Sequence, residues 1–387
     1  MANVLDFERY SGELQRQLLR RIGYTNGLHK IRRFPRIVEY LYPVMPTSVP
    51  LLVQILIREE NLRSETADGP DRPLKGQKYA QGIIDVAQAL LLIEKFGPKV
   101  SLSSQGYACH AITHSADESV LDAFLTQKVI DSDGEYSLNI LRLVSEGLTD
   151  ALMIGRALTE RFIELIQFKA KWAAEQVQES FARRTLTTML SEAEKVFRRA
   201  TEKDGADLFL KHTVTPRLEW LKDLGCISYE ESSSPDVTVA GASLLKALND
   251  LGACQQRFVC LPFDEWLVSQ LSLPNIYDTS GGEDFSWRLV AACHAQQPFD
   301  QRPPPSADLL DFVRSIYPLV KLVNFNEADA LSIYEVLAAT NARAGRVVHQ
   351  QEFEAALTLL VREFPSDIFK LSKRRGRGLY IALKKSA

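Results

Sequence analysis

Residues 208–248 constrain the fold of this chain more than any other stretch. Thr215 can cap a helix that begins at Pro216, because a threonine hydroxyl accepts an orphan backbone N–H and proline loses no hydrogen bond at the first helical position. Gly225 is placed to end that helix. Two alternating runs and a helix start of small residues follow, at Cys226 to Glu230, Asp236 to Ala240, and Gly241 with Ala242. The stretch therefore predicts a helix, a hairpin and a second helix.

The same order occurs earlier in the chain. Residues 34–41 and 49–58 predict two helices, and residues 78–91 an amphipathic third. Strands are then expected at 92–96 and 100–102, before Ser103, Ser104, Gln105, Gly106, Tyr107 and Ala108 restart a helix. A long polar insertion, Asn61 to Gln77, separates the second of these helices from the third.

A third copy is predicted near the end of the chain. Residues 327–340 and 349–363 have helical periodicity. Residues 368–372 and 379–383 alternate as strands around the basic loop of Lys373, Arg374, Arg375, Gly376, Arg377 and Gly378. We call this loop the basic wing.

These three stretches resemble the winged helix-turn-helix DNA-binding superfamily, in which a strand often leads into a polar pair, a glycine and an alanine. The insertion at Asn61 to Gln77 stands where this family has a tight turn, which leaves open whether the first copy reads DNA. The resemblance implies a mainly α fold with small β-hairpins (α+β), in which tandem winged-helix domains are joined by a helical middle. We expect a helical lead-in with a winged-helix-like domain at 1–145, a connector at 146–200, a second winged helix with a helical extension at 201–295, and a third at 307–387. The proline-rich run 296–306 is the predicted linker.

Two further segments have predicted structures. Residues 116–143 suggest a helix and a short hairpin around Asp131, Ser132, Asp133 and Gly134. Residues 148–200 contain no proline and predict two or three helices. That helical stretch is expected to act as a connector or as a surface for homo-oligomerisation, and the sequence leaves both readings open.

Positive charge is concentrated at the two ends of the chain. Seven basic residues and no acid lie between Gln15 and Val38, and seven more follow from Lys370 onward, again without an acid. The chain as a whole has a net charge of −3, so the remainder is strongly acidic. We expect a polyanion to bind at the ends, while the acidic remainder resists nonspecific coating by nucleic acid.

Composition indicates an ordinary globular protein, with 45% hydrophobic and 25% charged residues. The amino terminus lacks the apolar core of a signal peptide, and no apolar run reaches the length of a membrane span. Five scattered cysteines suit free thiols in a reducing compartment. These features predict a cytoplasmic protein with no membrane partner.

Enzymatic motifs are absent from the sequence, so we expect no catalytic residues and no cofactor. Residues 280–284 are expected to form a surface turn. Cys109, His110 and His114 have a spacing that a helix could use for ligands, but only one such pair occurs, whereas structural zinc sites usually have two. We therefore expect no metal at these residues. The alternative to a metal ligand is a partly buried histidine on the last helix of the first domain.

The sequence predicts a non-enzymatic protein that binds double-stranded DNA, as a regulator or as the DNA-engaging subunit of a larger complex such as a mobile-element or phage-defence system. Two alternatives stay open: a scaffold that binds protein partner subunits through its winged helices, and a motif-less nuclease subunit. The candidate nucleic-acid-binding residues are Lys370, Lys373, Arg374, Arg375, Arg377, Arg343, Arg346, Gln350, Arg217, Lys222, Arg16, Arg20, Arg32, Arg33 and Arg36.

Overall fold

A computed structural model describes residues 18–384, apart from 24, 26–27, 60–72, 116–117, 178–179, 203–204, 230–233, 256, 264–284, 295–305, 323–325, 366 and 375–377. The chain forms two compact units. The first unit comprises residues 1–31 and 127–293, and the second comprises 32–126 and 294–387. The four-part division expected from the sequence stays a prediction.

The helices are α1 (Arg33–Leu41), α2 (Val49–Glu59), α3 (Pro73–Ala89), α4 (Ser104–Ser115), α5 (Glu118–Ser145), α6 (Ala151–Gln176), α7 (Ser180–Thr201), α8 (Ala206–Asp223), α9 (Val239–Asp250), α10 (Phe285–His294), α11 (Ser306–Val320), α12 (Ala330–Arg343) and α13 (Gln350–Glu363). The strands are β1 (Thr47–Ser48), β2 (Ile93–Phe96), β3 (Lys99–Leu102), β4 (Ile227–Ser228), β5 (Asp236–Val237), β6 (Ala328–Asp329), β7 (Ile368–Arg374) and β8 (Gly378–Leu383).

The protein is mainly helical with small antiparallel sheets, as the α+β prediction requires. The strand orders are β1-β3-β2, β4-β5 and β6-β8-β7. None of the helices among the described residues is long and apolar enough to cross a membrane.

The second unit contains two segments with the same order of elements. We call α1 to β3 the N segment and α11 to β8 the C segment. In each, a two-residue strand is followed by two helices and a hairpin, and it pairs with the second strand of that hairpin, as Thr47 pairs with Val100 and Ala328 with Ile381. Their predicted helices and hairpins are confirmed, with ends shifted by a few residues.

The polar insertion of the N segment is shorter than predicted. Residues 73–77 belong to α3, because the helix begins at Pro73, a residue type suited to a first helical turn. Residues 60–72 of the insertion lie outside the described residues.

The segment from α8 to α9, which we call the M segment, lies in the first unit and has a two-stranded sheet. Its hairpin is confirmed, and Gly225 follows the helix with a φ of +72°. The predicted helix start at Pro216 is wrong, because α8 begins at Ala206 and contains that proline. Leu210 and Val214 pack against Gly155 of α6, and this contact holds the residues before the proline helical.

The predicted hairpin around Asp131 to Gly134 is also wrong, because these residues lie within the single helix α5. Asp133 is fully buried and forms an ion pair with Arg217. The distance from Arg217 Nε to Asp133 Oδ2 is 2.6 Å. Gly134 faces Leu261, whose side chain would lie 2.6 Å from an added Cβ. These tertiary contacts outweigh the turn preference of the local sequence.

The predicted helical middle is present as α6 and α7, which pack on each other and on α8. Tyr136, Phe162 and Phe197 form an aromatic cluster in the first unit, with ring centroids 4.8–6.3 Å apart. The guanidinium group of Arg21 lies over the Tyr136 ring, 5.1 Å from its centroid. This cation–π contact ties the basic side chain to the aromatic cluster.

The connection between the hairpin and the helix that follows it has the same geometry after β3 of the N segment as after β5 of the M segment. Ser103 and Thr238 cap α4 and α9, and each side-chain oxygen accepts the backbone N–H of a glycine, Gly106 at 3.0 Å and Gly241 at 3.1 Å. The carbonyl before the first hairpin strand lies against the same glycine, so that an added Cβ would be 2.0 Å from Leu92 O and 2.1 Å from Cys226 O. The two segments therefore share backbone geometry as well as sequence order.

We expect Gly106→Ala and Gly241→Ala each to lower the free energy of unfolding by about 2–3 kcal/mol, because the new methyl group meets a backbone carbonyl that cannot rotate away. Chemical denaturation of the whole chain measures the change. Gly23→Ala is the matched control, since an added Cβ there meets nothing within 4 Å. A loss no larger than that of the control would contradict the close approach.

Candidate nucleic-acid interface

The basic wing connects the two longest strands of the C segment. Lys373 and Arg374 occupy the end of β7, paired with Leu379 and Gly378 of β8. Gly378 has a φ of +80°, a conformation that favours glycine where the chain re-enters the hairpin. The other wing arginines, Arg375 and Arg377, lie outside the described residues.

Lys370 lies on the same hairpin and is exposed, with its Nζ 3.5 Å from the carboxylate of Glu327. Half of its side chain is open to solvent, so this ion pair contributes little stability and its ammonium can exchange partners. Lys370 is thus accessible to a phosphate.

Helix α13 precedes the hairpin and is the C segment's candidate recognition helix. Phe353, Leu357 and Leu360 are buried, and the exposed residues are Gln351, Glu352, Ala355, Thr358, Leu359, Arg362 and Glu363. Gln350 donates to the Glu354 carboxylate at 3.0 Å. The exposed face carries more carboxylates than guanidinium groups, so its charge does not favour close contact with phosphates.

The two arginines near the end of α12 have different surroundings. Arg343 is half-buried and donates to the carbonyl of His294 at 3.1 Å. Burial, together with the charge of Arg343, lowers the pKa of His294 to about 4. Arg346 is exposed on the turn before α13. Of these two candidates, Arg346 is the accessible one.

The arginines of the N segment are partly occupied by contacts within the second unit. Arg32 forms ion pairs with Glu118 and with Asp122, the latter at 2.9 Å. Arg33 donates to the hydroxyl of Tyr79. Arg36 is exposed. The phosphate-clamp role expected for this stretch stays a prediction.

Two candidate residues are buried in the first unit, which corrects their predicted role. Arg217 has no exposed surface and binds Asp133 and the carbonyl of Ile22. Arg20 is 2% exposed and donates to the carbonyl of Pro262 at 2.6 Å. Both guanidinium groups are enclosed by protein, so neither can contact a duplex in this structure.

Lys222 and Arg16 complete the candidate set. Lys222 is exposed, and its Nζ lies 4.3 Å from the centroid of the Tyr229 ring. Arg16 lies outside the described residues. Among the described candidates, the exposed basic residues are Lys370 on the C-segment hairpin, Arg346 before α13, Arg36 of α1 and Lys222 of α8.

A cluster of potential metal ligands lies elsewhere in the second unit. His110 and His114 of α4 face Glu39 of α1, a residue that the sequence analysis did not select. Burial raises the pKa of the Glu39 carboxyl, but hydrogen bonds and charges from the two histidines outweigh it and lower that pKa overall. Cys109 is fully buried and is not part of this cluster.

Comparisons of the chain with protein-family models, with curated proteins and with solved structures give no match. The function is therefore inferred from the contacts and charges of the chain itself.

We expect Arg217→Met to lower the free energy of unfolding by about 3–5 kcal/mol, because it leaves the buried Asp133 carboxylate without its partner. Arg156→Met is the control, since Arg156 pairs with Asp207 at 3.1 Å while both side chains are more than half exposed. Urea denaturation should show only a small fraction of that loss in the control. Similar losses in the two variants would count against Arg217 as a core residue.

Proposed function

We propose that this protein binds double-stranded DNA without catalysing a reaction, and that the C-segment hairpin is its main contact. The paired short strand, two helices and hairpin of the N and C segments support a tandem winged-helix arrangement, since that resemblance requires helices followed by a hairpin. Such a protein would act as a regulator or as the DNA-engaging subunit of a larger complex.

The observation that carries the proposal is the charge of the last strand pair. Seven basic residues and no acid occur from Lys370 to the end of the chain. Lys370, Lys373 and Arg374 lie on β7 and pair with β8, and Arg375 and Arg377 follow them in sequence. Guanidinium groups can bind two phosphate oxygens at once, and release of counterions from DNA favours the complex.

The surface of α13 supports the proposal that the hairpin, and not this helix, makes the main contact with DNA. Its exposed carboxylates, Glu352 and Glu363, would face phosphates if the helix axis ran along the DNA backbone. A hairpin that enters a groove or bridges phosphates avoids this repulsion. Arg346 lies on the turn before α13 and Gln350 is the first residue of that helix, so these are the helix-side groups best placed to assist.

We expect the variant K373A/R374A/R375A/R377A to bind duplex DNA more weakly and with a shallower dependence on salt. Each lost phosphate contact reduces the slope of log K against log salt by about 0.9. Fluorescence anisotropy with a labelled duplex across a salt series measures both quantities.

The control variant R156A/K171A/K195A/K246A removes the same amount of charge from exposed positions of the first unit. It should keep the slope of the unmodified protein. Equal weakening by both variants would assign binding to net charge alone, and absence of binding to duplex, single strand or RNA at low salt would refute the proposal.

A protein-interaction scaffold is the second candidate, because α13 also exposes apolar surface. Leu359 is 51% exposed, and Ala355 lies one turn away on the same helix. A scaffold would keep a stable stoichiometric complex with a protein partner when the basic wing is neutralised, whereas a DNA-binding protein would lose its ligand.

A further inference from the structure

We propose that Glu39, His110 and His114 bind a divalent transition-metal ion of the zinc class. This site is separate from the C-segment hairpin, and it does not depend on DNA binding.

The site combines two helices of the second unit. His110 and His114 are four residues apart on α4, so both rings project from one face of that helix. Glu39 of α1 reaches both rings, with Oε1 2.9 Å from His110 Nδ1 and Oε2 2.7 Å from His114 Nε2. The three side chains thus converge on one point although Glu39 is 71 residues from His110 in sequence.

The ligand atoms of the three residues are close enough together for one ion to bind all three side chains. One ligand atom from each residue lies within 4.8 Å of the other two. With zinc–ligand bonds of about 2.0–2.1 Å, tetrahedral ligands are about 3.3 Å apart. Each oxygen of Glu39 now contacts a different histidine, so rotation of the Glu39 side chain would have to bring one of its oxygens near both imidazole nitrogens.

The donor set also suits zinc. Two imidazole nitrogens and one carboxylate are three protein ligands that recur in zinc sites where the fourth position holds water. Exposure is graded across the cluster: the side chain of His110 is 9% exposed, that of Glu39 29% and that of His114 48%. A bound ion would therefore be anchored on the protein side and open to water on the other.

The ring of His110 is held in place before any ion binds. Tyr42 stacks on it, with ring centroids 3.9 Å apart and planes inclined by 14°. His114 packs against the same ring at 4.4 Å. A ligand that is already oriented loses less entropy on binding, which favours affinity. The ion would fasten α1 to α4 at this point.

The experiment is a zinc titration of the full chain after removal of metals by a chelator. Isothermal titration calorimetry should show one zinc ion per chain, with a rise in melting temperature that grows with zinc concentration. Mg²⁺ should have no effect at the same concentrations, because it prefers oxygen ligands. Co²⁺ in place of zinc should show no thiolate absorption, which separates this site from the cysteines.

Glu39→Gln and His114→Ala test the assigned ligands. Each should weaken zinc binding at least about 100-fold, since loss of even an outer partner of a ligand costs about 10- to 100-fold. His212→Ala is the control, because His212 is an exposed helix residue of the first unit, and it should bind zinc as the unmodified chain does.

Melting curves without zinc establish that the variants are folded. The proposal is overturned if zinc binds no more tightly than millimolar, or if Glu39→Gln and His114→Ala keep the original affinity. In either case the three residues form only a hydrogen-bonded clasp between two helices.

Discussion

The first unit depends on charges that are buried within its helices. Asp133 and Glu135 of α5 are fully buried and pair with Arg217 and Lys169. Burying such charges is costly unless they are paired and hydrogen-bonded, and here backbone groups bind both carboxylates in addition to the paired cations. Asp133 accepts the N–H of Ile22, and Glu135 accepts that of Leu261. The helix therefore holds two irregular segments of chain by polar contacts, where packing alone would leave their backbone unsatisfied.

The sequence pattern predicted those helices and hairpins whose local conformational preference agrees with their tertiary contacts. Helices with one apolar face and hairpins bounded by glycine or proline were found near their predicted positions, as in the N and C segments. The errors lie where they disagree. Asp133 and Gly134 favour a turn, but their partners Arg217 and Leu261 are remote in sequence and keep α5 continuous. Pro216 is tolerated inside α8 because packing against α6 stabilises the turns before it.

The candidate sites also depend on contacts between residues that are far apart in sequence, which local pattern could not predict. Charge counting identified the basic hairpin, yet it could not separate Arg346, which is exposed, from Arg217, which is a core residue. A sequence gives the number of guanidinium groups and no information on what encloses them. The spacing of His110 and His114 was visible, whereas Glu39 could join them only through the packing of α1 on α4.

Both units are assembled from separate stretches of the chain, and this has a consequence for biosynthesis. The N and C segments meet through α4, which packs against α11 and α12, and the Ser104 hydroxyl donates to Asp329 at 2.6 Å. Synthesis must therefore proceed past α12, which ends at Arg343, before α4 can contact these neighbours. Until then the faces of α4 that become buried stay open to chaperones and to misassembly, and the time that synthesis takes to reach α11 and α12 sets how long they remain unprotected.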